Sequence, residues 1–129
     1  MTARVLAWVL EQLQNNSPVV LASVVGTKGS VPGKTGARLA LNRHQDWVGT
    51  VGGAGLEHRI LNRCKELIQE RKATSEVHTF GLNKGAKGYE VQPLDSLCGG
   101  QVTISLELML PMPHVLSLIH ISEPTRHTR

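Results

Sequence analysis

Gly49-Thr50-Val51-Gly52-Gly53-Ala54-Gly55-Leu56-Glu57 carries a strand end, a glycine turn and a helix start in direct succession. Downstream, Leu56, Ile60, Cys64, Leu67 and Ile68 recur at helical spacing and make one apolar stripe. Upstream, Trp47 to Val51 reads as the returning strand of a hairpin. Its partner is Ala37 to Asn42, where Leu39 and Leu41 share one face and Arg38 and Asn42 the other. Arg43-His44-Gln45-Asp46 is the turn between them. The unpaired N–H groups and the dipole at a helix start favour an anion, and glycines there let one come close. The string is no dinucleotide fingerprint, since His58 stands where the third glycine belongs, and no P-loop, since no Gly-Lys-Ser/Thr follows. A tight turn with no ligand is the structural alternative.

Working outward, Val19 to Val25 is a nearly continuous valine-rich run that suits a strand buried on both faces. Residues 26–36 are too rich in glycine for a helix and read as a loop. Before the run, Val5, Leu6, Val9, Leu10 and Leu13 place a helix over Thr2 to Gln14, which Asn15-Asn16-Ser17-Pro18 ends. Glu76 to Leu82 is a further strand, and Asn83 to Leu97 a polar loop. Gln101 to Leu108 alternates through Val102, Ile104, Leu106 and Leu108 as a last strand. Pro111 and Pro113 mark a linker. The expectation is an α+β (mixed α/β) fold, a small mixed sheet of about five strands packed with two main helices.

At 129 residues the chain has the length of one domain. No apolar run approaches the roughly 20 residues of a membrane-spanning helix. Trp8, Trp47, Phe80 and Tyr89 are the whole aromatic set, too few for a stacking surface that binds single-stranded nucleic acid. Two cysteines exclude a disulfide framework and four-cysteine zinc ligation. The N-terminus lacks the apolar core of a signal peptide, so a cytoplasmic location is expected. The net charge of +4 favours anionic partners without choosing among them. Arg59, Arg63, Lys65, Arg71 and Lys72 alternate with Glu57, Glu66 and Glu70 and read as a solvated helix face with pairs such as Arg63 to Glu66.

Lys28, Lys34 and Arg38 are different, because they lie in or beside the glycine-rich loop. Cys98-Gly99-Gly100 can present its sulfur on an exposed turn where neighbouring N–H groups favour thiolate. Cys98 can equally be a small buried residue entering the last strand. Cys64 lies on the apolar helix stripe. His58, His78 and His114 lack the close spacing of a metal site, and with Asp46 and Asp95 the only aspartates an acidic metal cage is not expected.

Leu116 to Arg126 is similar to the conceptual translation of a sequencing-library adapter, and His127-Thr128-Arg129 would come from adjoining index sequence. A genuine strand with a polar terminus is the alternative. On the first reading residues 116–129 are foreign, and the natural protein continues past Val115.

Taken together, these segments resemble the XdhC/CoxI family, accessory proteins of molybdenum hydroxylases such as xanthine dehydrogenase. Gly29-Ser30-Val31-Pro32 with Gly36-Ala37-Arg38 resembles the family's Gly-Ser-Ser-Pro and Pro-Gly-Ala-Arg/Lys. Gly49 to Glu57 resembles its Gly-Thr-Ile-Gly-Gly-Gly-x-Leu-Glu, and Cys98-Gly99-Gly100 its Cys-Gly-Gly. Ala54 departs from the third glycine, Gly55 stands where many members carry cysteine or alanine, and Thr35 replaces a proline. The resemblance implies that residues 1–110 are the family's first domain and 111–115 the start of a linker to a Rossmann-like, nucleotide-binding domain that is missing here.

It further implies a non-catalytic maturation factor. Such a factor binds the molybdenum cofactor (molybdopterin) as cargo, supports its sulfuration and inserts it into a hydroxylase. Expected partners are the molybdenum hydroxylase, a cysteine desulfurase and a second copy of the chain, with neither nucleic acid nor membrane. Lys28, Ser30, Lys34, Arg38, Gly52, Gly53, Gly55 and Glu57 are the expected cofactor-binding residues, together with Cys98, Gly99 and Gly100. A nucleotide-dependent oxidoreductase fragment and a pure docking module for a hydroxylase or sulfurtransferase are the competing readings.

Overall fold

A computed structural model describes residues 2–29, 31, 33–71, 74–81, 91–93 and 100–111. The elements are α1 (Thr2–Gln14), β1 (Val19–Gly29), β2 (Arg38–Asn42), β3 (Trp47–Gly49), α2 (Ala54–Glu70), β4 (Ser75–Gly81), β5 (Val91–Pro93) and β6 (Gly100–Met109). The strands make one sheet in the order β3-β2-β1-β6-β4-β5. Neighbours are antiparallel except β4 and β5, which run parallel and make the sheet mixed. The expected α+β class, with two main helices on a small mixed sheet, is the class observed.

The helices cover opposite faces. On one side α2 sends Leu56, Ile60, Cys64, Leu67 and Ile68 against Val20, Ala22, Val24, Ile104 and Leu106. On the other, α1 sends Val5 and Val9 against Val19, Leu21 and Ala40. This double cover explains why β1 is apolar at successive positions. The alternation read in β2 holds, with α1 covering the face that carries Asn42, and Asn42 is only 3% exposed. Its Oδ1 accepts the N–H groups of His44 at 2.8 Å and Asp46 at 3.0 Å, and its Nδ2 donates to Gln12 Oε1 at 2.9 Å. A polar side chain is stable there because its hydrogen bonds are made inside the protein.

β1 also runs further than its valines. After a register shift between Val24 and Gly26, Thr27, Lys28 and Gly29 pair with Val102, Gln101 and Gly100. A bulge turns Val25 outward, where it is exposed, and lets a glycine-containing stretch stay in the ladder. The start of the supposed loop is therefore strand. Likewise the polar stretch before β6 contains β5, paired with Thr79 to Gly81.

Strand directions gather the glycine-rich segments. The C-terminal ends of β1, β3 and β4 and the N-terminal ends of β2 and β6 lie at one end of the sheet. The β1–β2 loop, the β3–α2 turn and Gly100 all leave from there.

Candidate functional site

Two glycine segments meet main chain to main chain. A Cβ on Gly33 would lie 2.5 Å from the Val51 carbonyl oxygen, so only glycine permits this approach. On the other side of the turn, Gly49 has φ +87° and would place a Cβ 2.2 Å from the Arg38 carbonyl oxygen. Thr50 N–H donates to that same carbonyl at 3.0 Å. The β1–β2 loop and the β3–α2 turn are thus stitched at two points.

Between them lies an open hollow of about 340 Å³, lined by Thr2, Val5, Lys34, Thr35, Gly36, Arg38 and Thr50. Lys34 is exposed at its rim. Arg38 is half-buried and donates one bond, Nη1 to the Gly36 carbonyl at 3.1 Å, which leaves most of its five donors for other partners. Gly36 has φ +97°, a backbone state that turns its carbonyl to Arg38 and, at 3.4 Å, to the Thr2 hydroxyl. Three threonines line the concavity with the two cations. Thr2 and Thr50 already donate to the Gly36 carbonyl and to Glu57, so Lys34, Arg38 and the Thr35 hydroxyl are the groups that can hold an anionic oxygen group.

The mouth of α2 is differently built. Gly53 is the N-cap, with no side-chain capping bond. The Thr50 hydroxyl accepts the Gly52 N–H at 3.2 Å and donates to the Glu57 carboxylate. Glu57 therefore fastens the turn to the first helical turn, where its charge also suits the dipole. Gly52 has φ +135°, and Gly55 faces open space.

Of the residues expected from sequence, the structure brings Lys34 and Arg38 together in the hollow. Gly52, Gly53, Gly55 and Glu57 form the adjoining turn. Lys28 stands apart, exposed on β1 opposite Gln101, about 16 Å along the strand from the Ser23 to Arg38 rung. Gly100 pairs with Gly29 at the same end of the sheet. Ser30, Cys98 and Gly99 lie outside the described residues. Sequence reasoning missed Thr2, Thr35 and Thr50 as hollow-lining residues. Thr50 alone had a legible signal, a hydroxyl set immediately before a glycine turn.

Away from the hollow, α2 is tied to β4 by charge. Arg63 Nε donates to Glu76 Oε1 at 2.9 Å and Nη2 to Glu76 Oε2, while Nη1 pairs with Glu66 Oε1 at 2.8 Å. The Arg63 guanidinium holds the Glu76 carboxyl at about 2, well below the usual carboxylate range, and His78 bonds Glu76 at 2.8 Å. Burial pushes the Cys64 thiol up to about 12, which keeps it protonated and inert.

The XdhC and CoxI family model matches residues 12–81, more than half of the chain. An uncharacterized protein of Escherichia coli K12, YqeB, is 28% identical over 111 residues, covering 84% of this chain and 19% of that protein. A crystal structure of a xanthine dehydrogenase from Bacillus halodurans superposes with a TM-score of 0.61 at 22% identity, covering 89% of this chain and 34% of the other. The chain therefore spans at most about a third of the relatives it matches, and the structural likeness concerns the fold. This chain belongs to the XdhC and CoxI family, which is linked to the maturation of molybdenum hydroxylases. No helix among the described residues is long and apolar enough to cross a membrane.

Proposed function

We propose that this chain is the first domain of a maturation factor that holds the molybdenum cofactor as cargo for a xanthine dehydrogenase-type hydroxylase. One observation supports it most: the close approach of Gly33 to Val51 sets Lys34, Arg38 and Thr50 around a single hollow beside the α2 glycine turn. The phosphate of the pterin is the group suited to that hollow, as a dianion facing a lysine, an arginine fork and the Thr35 hydroxyl. The backbone amides of the turn add donors on the same side. Cys98, two residues before Gly100 in the sequence, is our candidate for the dithiolene and metal end of the cargo, where sulfur is installed. On this reading the chain binds and delivers and catalyses nothing itself, residues 1–110 make the domain, and any nucleotide site belongs to a second domain.

Anaerobic gel filtration of the protein with released molybdenum cofactor tests the reading, with retained pterin measured by fluorescence after oxidation. Retention is expected to fall about tenfold or more in Lys34→Glu and in Arg38→Gln, and to weaken with salt. Undiminished retention in both variants overturns the assignment of the hollow. Absence of any retention by the unaltered protein overturns the cargo reading itself.

A further inference from the structure

Helix α1 has two apolar faces, and only one enters the core. Val5 and Val9 are buried, whereas Leu6 and Leu10 are 44% and 55% exposed. Ala3 and Ala7 are exposed as well. At about 100° of rotation per residue, Ala3, Leu6, Ala7 and Leu10 make one outward stripe of alternating small and large side chains. Arg4 and Glu11 border it along one flank, two turns apart. Neither makes an ion pair with another described residue.

We propose that this stripe is the contact between two copies of the chain, packed with their α1 helices antiparallel about a two-fold axis. Such an axis reverses residue order, so each register opposes position pairs of constant sum. Two independent features select the same register. Setting Arg4 of one copy opposite Glu11 of the other makes two symmetric opposite-charge pairs along the solvent flank. That setting also brings Leu10 of each copy level with position 5 of the other, midway between Ala3 and Ala7. The two methyl side chains leave a shallow gap there, and each leucine fills it. A parallel pairing would instead put the Arg4 and Glu11 flanks of the two helices on opposite sides of the pair, where they form no such charge pairs. One helix pair is a small interface, so the association is weak and depends on concentration.

Sedimentation velocity of the unaltered chain between about 5 and 500 µM, the range of a weak dimer, is expected to show a monomer–dimer equilibrium. Leu10→Glu is expected to raise its dissociation constant about tenfold or more, since a charge would enter the leucine–alanine contact. Arg4→Glu alone is expected to weaken the dimer, and Arg4→Glu with Glu11→Arg to restore it, because the exchanged charges still oppose one another. Under mild oxidation Ala7→Cys is expected to cross-link above the background of the unaltered chain. Ala3→Cys is not, because its counterpart lies about 13 Å away along the helix axis. All these positions are exposed, and circular dichroism of each variant is the check that it folds. A monomer at every concentration overturns the proposal. So does a dimer that the charge exchange fails to restore, or one in which Ala3→Cys cross-links as readily as Ala7→Cys.

Discussion

The Gly33 main chain rests against the Val51 carbonyl so closely that a methyl group on Gly33 would come within 2.5 Å of its oxygen. This contact fixes where the β1–β2 loop lies relative to the α2 turn, and so where Lys34 stands relative to Thr50. Gly33→Ala must move one backbone away from the other. A surface loop yields more easily than the turn between β3 and α2, so the expected stability loss is modest, about 1 kcal/mol. The expected loss of pterin retention is larger, because the hollow opens. Thermal melts and the retention assay measured on the same variant separate the two effects.

Gly49 and Gly55 make a contrasting pair. Gly49 has φ +87°, and a Cβ there would meet the Arg38 carbonyl oxygen at 2.2 Å and Val5 at 2.9 Å. Gly49→Ala therefore carries backbone strain and a collision with two buried elements, and is expected to cost about 3 kcal/mol or more. Gly55 lies in the first turn of α2 with nothing near its absent side chain. Gly55→Ala is expected to stabilise the protein by about 0.5–1 kcal/mol, because alanine loses less backbone freedom in a helix. Denaturant midpoints of the two variants should move in opposite directions.

Asn42 carries the hairpin turn from inside. Its carboxamide accepts two turn N–H groups and donates to Gln12 on α1, all while nearly excluded from water. Asn42→Ala leaves those groups without their partner, at an expected cost of about 2–3 kcal/mol. Asn42→Asp keeps the acceptor but loses the donor and buries a charge beside Asp46. It should destabilise the protein near neutral pH and less so in acid. Urea unfolding of both variants at two pH values checks the ranking.

Much of this fold was legible because one face or both of each element is apolar in a fixed rhythm. β6 alternates through Val102 to Leu108, and α2 repeats through Leu56 to Ile68. The rest depends on partners distant in sequence. Nothing local in Thr27-Lys28-Gly29 says strand; pairing with residues 100–102 makes it one. Nothing in Asn42 says buried, because α1 supplies the cover. At the candidate site, glycine content marked both loops and cation placement marked Lys34 and Arg38. Lys28 has the same charge and lies in the same stretch, yet the bulged extension of β1 carries it along the strand away from the Arg38 rung. Loop composition does not encode that separation.

The Arg63 to Glu76 pair predicts an acid limit to stability. Arg63 binds Glu76 through two nitrogens, and the Glu76 carboxyl is lowered from 4.5 to about 2. A carboxyl with a depressed folded-state pKa contributes stability that is complete above its unfolded value and lost as pH falls through its folded one. The window therefore runs from about pH 4.5 down to about pH 2. Both side chains keep some solvent contact, at 22% and 31% exposure, so screening reduces the contribution to about 1–2 kcal/mol. Glu76→Gln removes the titrating group while keeping the shape. Its unfolding free energy should be lower than that of the unaltered protein at pH 6, and the gap should close progressively toward pH 2. Parallel curves for the two proteins across that range would mean that titration of Glu76 costs no stability in acid, which overturns the predicted acid limit. Arg63→Met gives the complementary measurement. Glu76 then loses the guanidinium that stabilises its charge, and its titration should return toward the ordinary glutamate range.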